Sequence, residues 1–435
     1  MLAPPVPGED SDSGPRMTAD WLHLSADTWR YLSLPVISAL VGYVTNVVAI
    51  RMMFHPIEFR GVARPWLGWQ GIVPRKASKM TGIAVDTITE SLITEAEMFG
   101  RLDPREVATE IEGPLMVMVD DVIETVMRRH YPTLWPAAPE TLRRAVHARL
   151  RAAAPHVVTR VMHEIRANIR YLFDLKSMIT RLLVREKTLL NRVFKETGRD
   201  EFIFIGRSGA YFGFAFGLVQ MALWVFFQPW WLLPLFGLIV GWATNWLALK
   251  MIFNPKNGIQ IGRWRLQGLF FRRQNEVAAD YGALVADHVI TPEHILDEIT
   301  HGPYADKLMA MVRREVGATV DDTLRVARPL MNWTLGEHEY QRLRRDAEQE
   351  VVARMPALLE RLTGYAKQRM AVRETLIERL QSLTPAQFES MLRPAFEEDE
   401  WILIAVGAAL GFAAGWIQLV FVFSSVFEQH FGALW

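Results

Sequence analysis

The sequence contains no cysteine, which excludes disulfides, thiolate metal sites and a cysteine nucleophile. It has no excess of either charge, because 48 lysine and arginine residues balance 48 aspartate and glutamate residues. A strong overall field for nucleic acid is therefore not expected. The sequence also lacks long strand patterns, a phosphate loop, a dinucleotide fingerprint, a nucleophile elbow and a zinc-binding His-Glu-x-x-His helix. We therefore expect an all-α protein that is not an enzyme and needs no cofactor.

Long apolar runs, in contrast, are plentiful in a chain that is 50% hydrophobic. A membrane-spanning helix needs roughly 20 mainly apolar residues. Four stretches are long enough, and they cover residues 32–54, 203–227, 230–253 and 401–423. No Asp, Glu or His lies deep in any of them, which argues against a proton-coupled carrier. The sequence predicts an integral membrane protein with four transmembrane helices.

An internal repeat organises the chain. The segment GYVTNVVAIRMMFHP at Gly42 to Pro56 returns as GWATNWLALKMIFNP at Gly241 to Pro255. A ladder of glycines ending in glutamine also occurs twice, in the second and fourth spans. Because self-similarity of this kind indicates repeated structural units, we predict two tandem repeats, each with a long helical arm between two spans.

The predicted boundaries follow from this repeat. The proposed segments are a disordered leader (1–30), repeat 1 (31–228, with its arm at 75–200), repeat 2 (229–424, with its arm at 272–398) and a short tail (425–435). Only Gln228 and Pro229 separate the second span from the third, so both arms are expected on the same side of the membrane and the repeats are parallel. Lysine and arginine flank the arms, which predicts cytoplasmic arms in a bacterial inner membrane, with both termini on the opposite side.

The polar and small residues inside the spans form the first candidate site. Glycines four residues apart let another helix approach closely, so a buried asparagine amide can reach its backbone carbonyls. Asn46 could face the glycines of its own half or those of the other half, and Asn245 likewise. The residues serve either as helix-packing contacts or as the lining of a polar path. They are Thr45, Asn46, Thr244, Asn245, Gly209, Gly213, Gly217, Gln220, Gly407, Gly411, Gly415 and Gln418.

A basic turn follows the first span of each half. Tryptophan and apolar residues lie there beside cations, as in segments that sit at lipid headgroups. The candidate headgroup contacts are Arg75 and Lys76 in the first half and Arg272 and Arg273 in the second. The alternation from Ile259 to Leu266 predicts a short hairpin in the second turn. The turns act either as simple anchors or as sites of lipid recognition.

The arms show helical periodicity. From Leu142 to Leu172, apolar residues recur at steps of three and four, which predicts a long amphipathic helix with a kink at Pro155. Residues 137–200 carry 14 basic and 6 acidic side chains. This basic face is either simply solvated or binds anionic lipid, a partner protein or the acidic end of the other arm, Glu397 to Glu400. Nucleic acid is not expected, because no aromatic interleaving accompanies the arginines.

One cluster in the second arm could hold a metal ion. His294, Asp297, Glu298 and His301 fall on one face of a predicted helix that begins at Thr291. Two imidazoles and two carboxylates could bind zinc, manganese or iron. The matching stretch of the first half, DPREVATEIEGP, has no histidine, and such spacing also occurs on solvated helices. We treat this cluster as a weak metal candidate.

The order of these motifs resembles a known family. The segments GYVTNVVAIRMMFHP, WQGIVPRKASKMTGIAVDTITESLIT and GAYFGFAFGLVQ, and their second copies, are similar to the YheB/YjiN-like bacterial membrane proteins. The resemblance covers nearly everything after residue 30. The second turn departs from it, with Phe270 and Phe271 where the first half has Val73 and Pro74. The resemblance implies the membrane architecture but no reaction, since the family is a domain of unknown function.

The function hypotheses follow from the large polar arms. The first is a non-enzymatic inner-membrane protein whose paired cytoplasmic arms act as a scaffold for a protein partner. The alternative is a transport or lipid-handling protein with a polar path between the two repeats. A metal-dependent membrane enzyme is a third and weaker hypothesis. Membrane lipid is the expected partner in each case, and a homo-oligomer is compatible with all of them.

Overall fold

The computed structural model describes residues 20–63, 67–253, 259–261, 264–266, 268–323, 337–392 and 400–431. These residues are almost entirely helical. They divide into two compact units, which are interleaved along the chain. The membrane unit contains the apolar helices, and the arm unit contains residues 54–198 and 270–397.

The first half of the chain contains eleven described α-helices and one hairpin. A single π-helical segment, Ile88–Leu92, continues the third helix. The elements are α1 (Asp20–Phe54), β1 (Arg60–Ala63), β2 (Leu67–Trp69), α2 (Ile72–Arg75), α3 (Ala77–Thr87), α4 (Glu95–Gly100), α5 (Pro104–Glu110), α6 (Glu112–His130), α7 (Leu134–Ala137), α8 (Glu140–Leu172), α9 (Leu175–Arg185), α10 (Lys187–Thr197) and α11 (Arg199–Phe226).

The second half follows a similar order in its described residues. Its elements are α12 (Leu232–Phe253), β3 (Ile259–Ile261), β4 (Trp264–Leu266), α13 (Leu269–Arg272), α14 (Gln274–His288), α15 (Pro292–His301), α16 (Ala305–Thr323), α17 (Glu337–Glu360), α18 (Thr363–Met370), α19 (Val372–Ser382), α20 (Pro385–Leu392), α21 (Glu400–Phe421) and α22 (Ser424–Phe431).

Four helices of the membrane unit are long and apolar enough to cross a bilayer. The candidate spans are Thr28–Phe54, Arg199–Phe226, Leu232–Met251 and Glu400–Phe421. The prediction of four membrane-length helices is therefore confirmed, with ends that differ from the predicted ones by a few residues. A cluster of Leu34, Trp224, Leu233, Leu419 and Phe423 lies at one end of these helices. The rings of Trp224 and Phe423 meet edge to face, with centroids 5.1 Å apart.

The arm unit is built from helices of both arms, which pack on one another. Helix α8 of the first arm lies against α16 of the second, and α6 lies against α17. One buried cluster joins Leu172 to Leu308, Met311, Val312 and Met355. A second cluster joins Val122 and Val126 to Leu343 and Ala347. The apolar stripes read from the sequence therefore face each other across the two arms, as burial of apolar surface requires.

Helix starts in the arm unit follow the sequence signals. The Thr94 hydroxyl accepts a hydrogen bond from the backbone N–H of Glu97 at the start of α4. Thr291 does the same for His294 at the start of α15, and Pro292 occupies the first turn. Asp103 caps α5 by accepting from the N–H groups of Arg105 and Glu106. Each cap satisfies N–H groups that have no partner within the helix, so it fixes where the helix begins.

The described residues also form two short antiparallel hairpins: β3–β4, which the alternation predicts, and β1–β2, which it does not. The predicted kink of α8 at Pro155 needs correction. Helix α8 runs through Pro155, and its helical dihedral angles are interrupted at Asn168 (φ −119°, ψ 16°). The Asn168 amide donates to the Glu164 carbonyl oxygen, 3.1 Å away. Asparagine competes in this way with the backbone for hydrogen bonds, which explains an interruption there.

Candidate functional site

In the first half of the membrane unit, α1 and α11 touch backbone to backbone. A Cβ atom built on Gly42 would lie under 3.0 Å from the Gly209 carbonyl oxygen, and one built on Gly209 would strike Gly42 in return. Gly213 meets the backbone of Ser38 in the same way, and Gly217 meets Pro35. Helices can approach this closely only where side chains are absent. The glycine ladder is therefore the contact surface for α1.

The second half of the membrane unit makes corresponding contacts between α12 and α21. Gly241 lies against the Gly407 carbonyl, and Gly237 lies against Gly411. Gly415 meets the backbone of Leu233 and Pro234. The motif glycine that precedes each Thr-Asn pair is thus part of the contact. Sequence reasoning singled out the ladders but not Gly42, Gly237 and Gly241, although Gly42 and Gly241 stand four residues before the asparagines and share their helix face.

Both asparagine amides are buried and bonded across these helix pairs. Asn46 Nδ2 donates to the Ile205 carbonyl oxygen at 2.7 Å, and the hydroxyl of Ser208 donates to the same oxygen at 2.9 Å. Asn245 Nδ2 donates to the Leu403 carbonyl oxygen at 3.0 Å. The sequence left two pairings open for each asparagine. In the structure each asparagine bonds the ladder helix of its own half.

The two halves also meet through these residues. The Thr244 hydroxyl lies 3.4 Å from Asn46 Oδ1, while its shorter hydrogen bond, 2.8 Å, goes to the Val240 carbonyl oxygen. Thr45 donates to the Gly42 carbonyl oxygen within its own helix. Thr244 and Asn46 are both fully buried. A small polar cluster without formal charge therefore links α1 and α12.

The glutamines that end the two ladders differ in their partners. The Ser38 hydroxyl donates to Gln220 Oε1 at 2.8 Å, and both side chains are buried. Gly237, four residues before Gly241, stands in the second half where Ser38 precedes Gly42. Gln418 is also buried, and its Nε2 group has no hydrogen-bond partner among the described residues. The second half therefore lacks the hydroxyl that engages glutamine in the first.

The basic turns have matching backbone but different surroundings. Each forms a single helical turn, α2 or α13, and a longer helix begins two residues after that turn ends. Lys76 (φ −100°, ψ 17°) and Arg273 (φ −108°, ψ 19°) hold the same position and conformation. Arg75 and Arg272 are exposed, and Arg273 pairs with Glu276 at 2.7 Å. Residues 64–66, 254–258, 262, 263 and 267 of the two turns lie outside the described residues.

The residues of the weak metal candidate on α15 make separate contacts and do not converge on one point. His301 Nδ1 lies 3.0 Å from Asp297 Oδ1, and both side chains are exposed. Glu298 forms an ion pair with Arg181 of the other arm. His294 Nδ1 lies 3.0 Å from the Val289 carbonyl oxygen. Within the described part of the chain, no group of three or more histidine, aspartate or glutamate residues is placed to hold a metal ion.

An apolar cavity lies inside the arm unit, and sequence reasoning did not find it. Its volume is about 280 Å³, and both arms line it. Of the lining side chains, only Thr319, Thr323 and Tyr365 carry a hydroxyl group, and none is charged. The volume is about twice that of an engineered apolar cavity of ~150 Å³ that stays dry and binds benzene. The cavity can therefore take an apolar ligand.

The cavity is long. Its lining on α8 extends from Val146 to Ile165, which is about 28 Å of helix at 1.5 Å per residue. The lining on α17 extends from Leu343 to Leu359, about 24 Å on the same basis. Contacts of Arg160 with Glu315 and of Glu164 with Arg314 show that α8 and α16 run antiparallel. The cavity thus follows the helix axes and has the proportions of a tube.

Ion pairs hold the two arms around this tube. Arg160 Nε lies 2.7 Å from Glu315 Oε2, and Arg129 Nη2 lies 2.7 Å from Glu350 Oε1. Arg181 and Glu298 form a further pair between the arms. The basic arm therefore binds the middle of the other arm. The acidic end that was considered as its partner lies outside the described residues at 397–399, and Glu400 belongs to the membrane unit.

Two half-buried histidines sit among carboxylates beside the Val146 end of the tube. His147 Nδ1 lies 2.7 Å from Asp120 Oδ1, and His130 Nε2 lies 3.0 Å from Asp346 Oδ2. The Arg151 guanidinium, bonded to Asp120, lowers the pKa of that carboxyl group. Hydrogen bonds from Arg354 and then Arg129 lower the pKa of Glu350. These carboxylates are therefore held in their charged form.

Comparison with known proteins gives relatives of unknown function. The chain is 28% identical over 170 residues to a UPF0754 membrane protein of Bacillus cereus (strain 03BB102), a match that covers 38% of this chain and 44% of the relative. Identity to a UPF0754 membrane protein of Bacillus mycoides (strain KBAB4) is 28% over 152 residues, 34% of this chain and 40% of that one. The chain thus spans less than half the length of the curated relatives it matches.

No protein-family model matches the chain, and no solved structure does. The relatives are named membrane proteins, and four helices of this chain are long and apolar enough to cross a bilayer. The chain is a helical membrane protein. The names of the relatives do not include YheB or YjiN, so the closer resemblance stays an interpretation of the motifs.

Proposed function

We propose that the chain is a non-enzymatic lipid-handling protein, and that its arm unit binds an extended hydrocarbon chain. The observation that carries this proposal is the apolar tube between the arms. A polar ligand would lose its hydrogen bonds to water there and find almost no replacements, which costs several kcal/mol by the order of magnitude for buried polar groups. A hydrocarbon chain loses nothing of this kind and fills the space along its length.

The location of the tube suggests the source of the chain. Each arm is connected at both ends to a helix of membrane length, so the arm unit is tethered to a bilayer. Packing of both arms into one unit supports the parallel arrangement of the two halves. Lysine and arginine near the arm ends of the spans support cytoplasmic arms in a bacterial inner membrane. Lipid of that membrane is the nearest hydrocarbon.

Contacts in the structure favour lipid binding in the tube over the polar-path and scaffold functions that the sequence first suggested. The asparagine amides, offered as the lining of a polar path, bond backbone carbonyls in tight helix contacts. Several basic side chains, offered as a scaffold surface, pair with acids of the other arm. The tube provides a specific binding surface, and neither earlier hypothesis has a comparable one among the described residues.

Photocrosslinking tests the proposal. The full chain is reconstituted into lipid nanodiscs with a fatty alcohol that carries a diazirine near the end of its chain. We expect adducts on peptides of α6, α8, α16 and α17 after illumination. The double variant Val157→Phe with Val161→Phe fills the tube and should lower this labelling at least several-fold, because both side chains line it.

The matched control is Val117→Phe, which adds the same ring at an exposed position of α6. Labelling of that variant should equal labelling of the native chain. Thermal unfolding of all three proteins checks that the filled tube has not disrupted the arms. Adducts confined to the membrane helices, or equal labelling in a folded double variant, would refute chain binding by the arm unit.

A further inference from the structure

An arginine stands at one end of the apolar tube. On α8 the lining residues Val146, Leu150 and Val157 follow helical spacing. Arg143 precedes Val146 by three positions and Leu150 by seven, so it lies on the same face of the helix, one turn before the lining begins. The apolar face of α8 thus ends in a cation.

The Arg143 side chain differs from the arginines around it. The residue is half-buried, and its Nε is buried without a hydrogen-bond partner among the described residues. Arg144 bonds Glu140, and Arg151 bonds Asp120. The acid closest to Arg143 in sequence is therefore already paired with another cation. A buried N–H donor without an acceptor is unfavourable, and an anion that accepts a hydrogen bond from Arg143 Nε would remove that cost.

Two carboxylates of α6 near this end are already engaged by other groups. Asp120 and Glu124 of α6 are engaged by Arg151, Arg128 and the indole of Trp135.

We infer that the tube binds an anionic lipid with a single extended chain, and that Arg143 binds its acidic headgroup. This inference rests on the proposed function, because it assigns the headgroup end of the same ligand. The hydrocarbon chain lies along α8, and the carboxylate or phosphate meets the guanidinium group at the end of the tube. Binding should therefore distinguish an acid from an uncharged molecule with the same chain.

The test compares three photoreactive probes of equal chain length: a fatty alcohol, the matching fatty acid and a single-chain lipid phosphate. Competition by the non-photoreactive forms gives relative affinities for the full chain in nanodiscs of uncharged lipid. We expect the native protein to bind at least one anionic probe about tenfold more tightly than the alcohol. The anion with the larger gain in affinity over the alcohol identifies the headgroup that Arg143 binds.

The deciding variant is Arg143→Gln, with Arg149→Gln as the matched control. Arg149 is an exposed arginine on another face of α8. Arg143→Gln should bind all three probes equally, while Arg149→Gln keeps the preference for the anion. Thermal unfolding of both variants checks that they are folded.

Two results would overturn the inference while leaving the proposed function intact. One is equal binding of acid, phosphate and alcohol by the native chain. The other is a preference for the anion that survives in Arg143→Gln. Failure of all three probes to label the tube would instead refute the proposed function itself.

Discussion

At the residue scale, packing in the membrane unit depends on glycines, which have no Cβ atom, and on buried asparagine amides. Gly42, Gly209 and their neighbours allow two backbones to touch, and Asn46 then reaches a carbonyl oxygen that a longer separation would put out of range. The sequence could predict the glycine ladders and the buried amides from spacing alone. It could not choose the partner helix, since each asparagine had two equivalent ladders within the same pattern.

Replacing one ladder glycine should destabilise the membrane unit. Gly213→Ala puts a methyl group under 3.0 Å from the Ser38 backbone, so the helices must separate, at a cost on the order of 1–3 kcal/mol. Gly206→Ala is the matched control on the same helix, because its Cβ would meet only side chains, at 3.4 Å and 3.6 Å. Thermal unfolding in detergent should show a lower Tm for the first variant only. Equal Tm values would mean that the close approach is unimportant.

Removing a buried amide tests the same contact independently. Asn46→Ala and Asn245→Ala each delete one interhelical hydrogen bond, which contributes about 0.6–2 kcal/mol in membranes. We expect each variant to lower the Tm in detergent, and the double variant to lower it further. Ser33→Ala, which removes an exposed hydrogen bond near the start of the first candidate span, serves as the control. Unchanged stability together with altered solute flux through liposomes would instead favour the polar-path hypothesis.

At the element scale, the arms depend on apolar stripes that pack together and on ion pairs that join them. The stripe of α8 could be read from its spacing, and the helix starts at Thr94 and Thr291 follow ordinary capping chemistry. The tube could not be predicted, because a stripe that faces a cavity and a stripe that faces a packed core have the same spacing. Hairpin β1–β2 was missed because its first strand, Arg60–Ala63 (RGVA), does not alternate apolar and polar side chains.

The carboxylates of Asp120 and Glu350, each paired with an arginine, make the arm unit sensitive to acid. Arg151 lowers the folded-state pKa of Asp120, and Arg354 lowers that of Glu350. Folding therefore holds both groups deprotonated more strongly than the unfolded chain does. Their contribution to stability is complete above the unfolded pKa values, 3.8 and 4.5, and disappears as the pH falls through the lower folded values.

Chemical unfolding of the full chain at several pH values checks this expectation. The free energy of unfolding of the arms should be flat just above about pH 5 and should fall below about pH 4. Asp120→Asn should be less stable at neutral pH and should lose part of the acid dependence. Asp322→Asn changes an exposed aspartate of α16 and should leave the profile as it is. A native profile that stays flat in acid would contradict the role of these ion pairs.

At the scale of the whole molecule, the chain alternates twice between an apolar helix and a polar arm. This order was readable from hydropathy and from the returning Thr-Asn motif, and the four membrane-length helices follow it. The sequence did not predict which helices of the two arms pack together. Packing of α6 on α17 and of α8 on α16 joins residues far apart in the chain and leaves no local pattern in the sequence. The side of the membrane on which the arms lie is a prediction from the positions of basic residues alone.

Accessibility of introduced cysteines tests the proposed topology. The chain has no native cysteine, so each variant carries one reporter. Thr141→Cys and Ala357→Cys lie at exposed positions of the two arms, and Gln228→Cys lies between the second and third spans. An impermeant thiol reagent should label the first two from the cytoplasmic side and the third from the other side. Labelling of the two arm positions from opposite sides would exclude parallel repeats.

Because both arms form the walls of the tube, the tube can close only late in synthesis of the chain. Its walls come from residues before position 200 and residues after position 290, so translation must pass α11 and α12 before the space can close. Until then, the apolar face of α8 lacks its contacts with the second arm, and apolar side chains there are exposed to water and to chaperones. A transcript cut after α11 would yield a product with those side chains permanently exposed. Cells should remove such a fragment quickly.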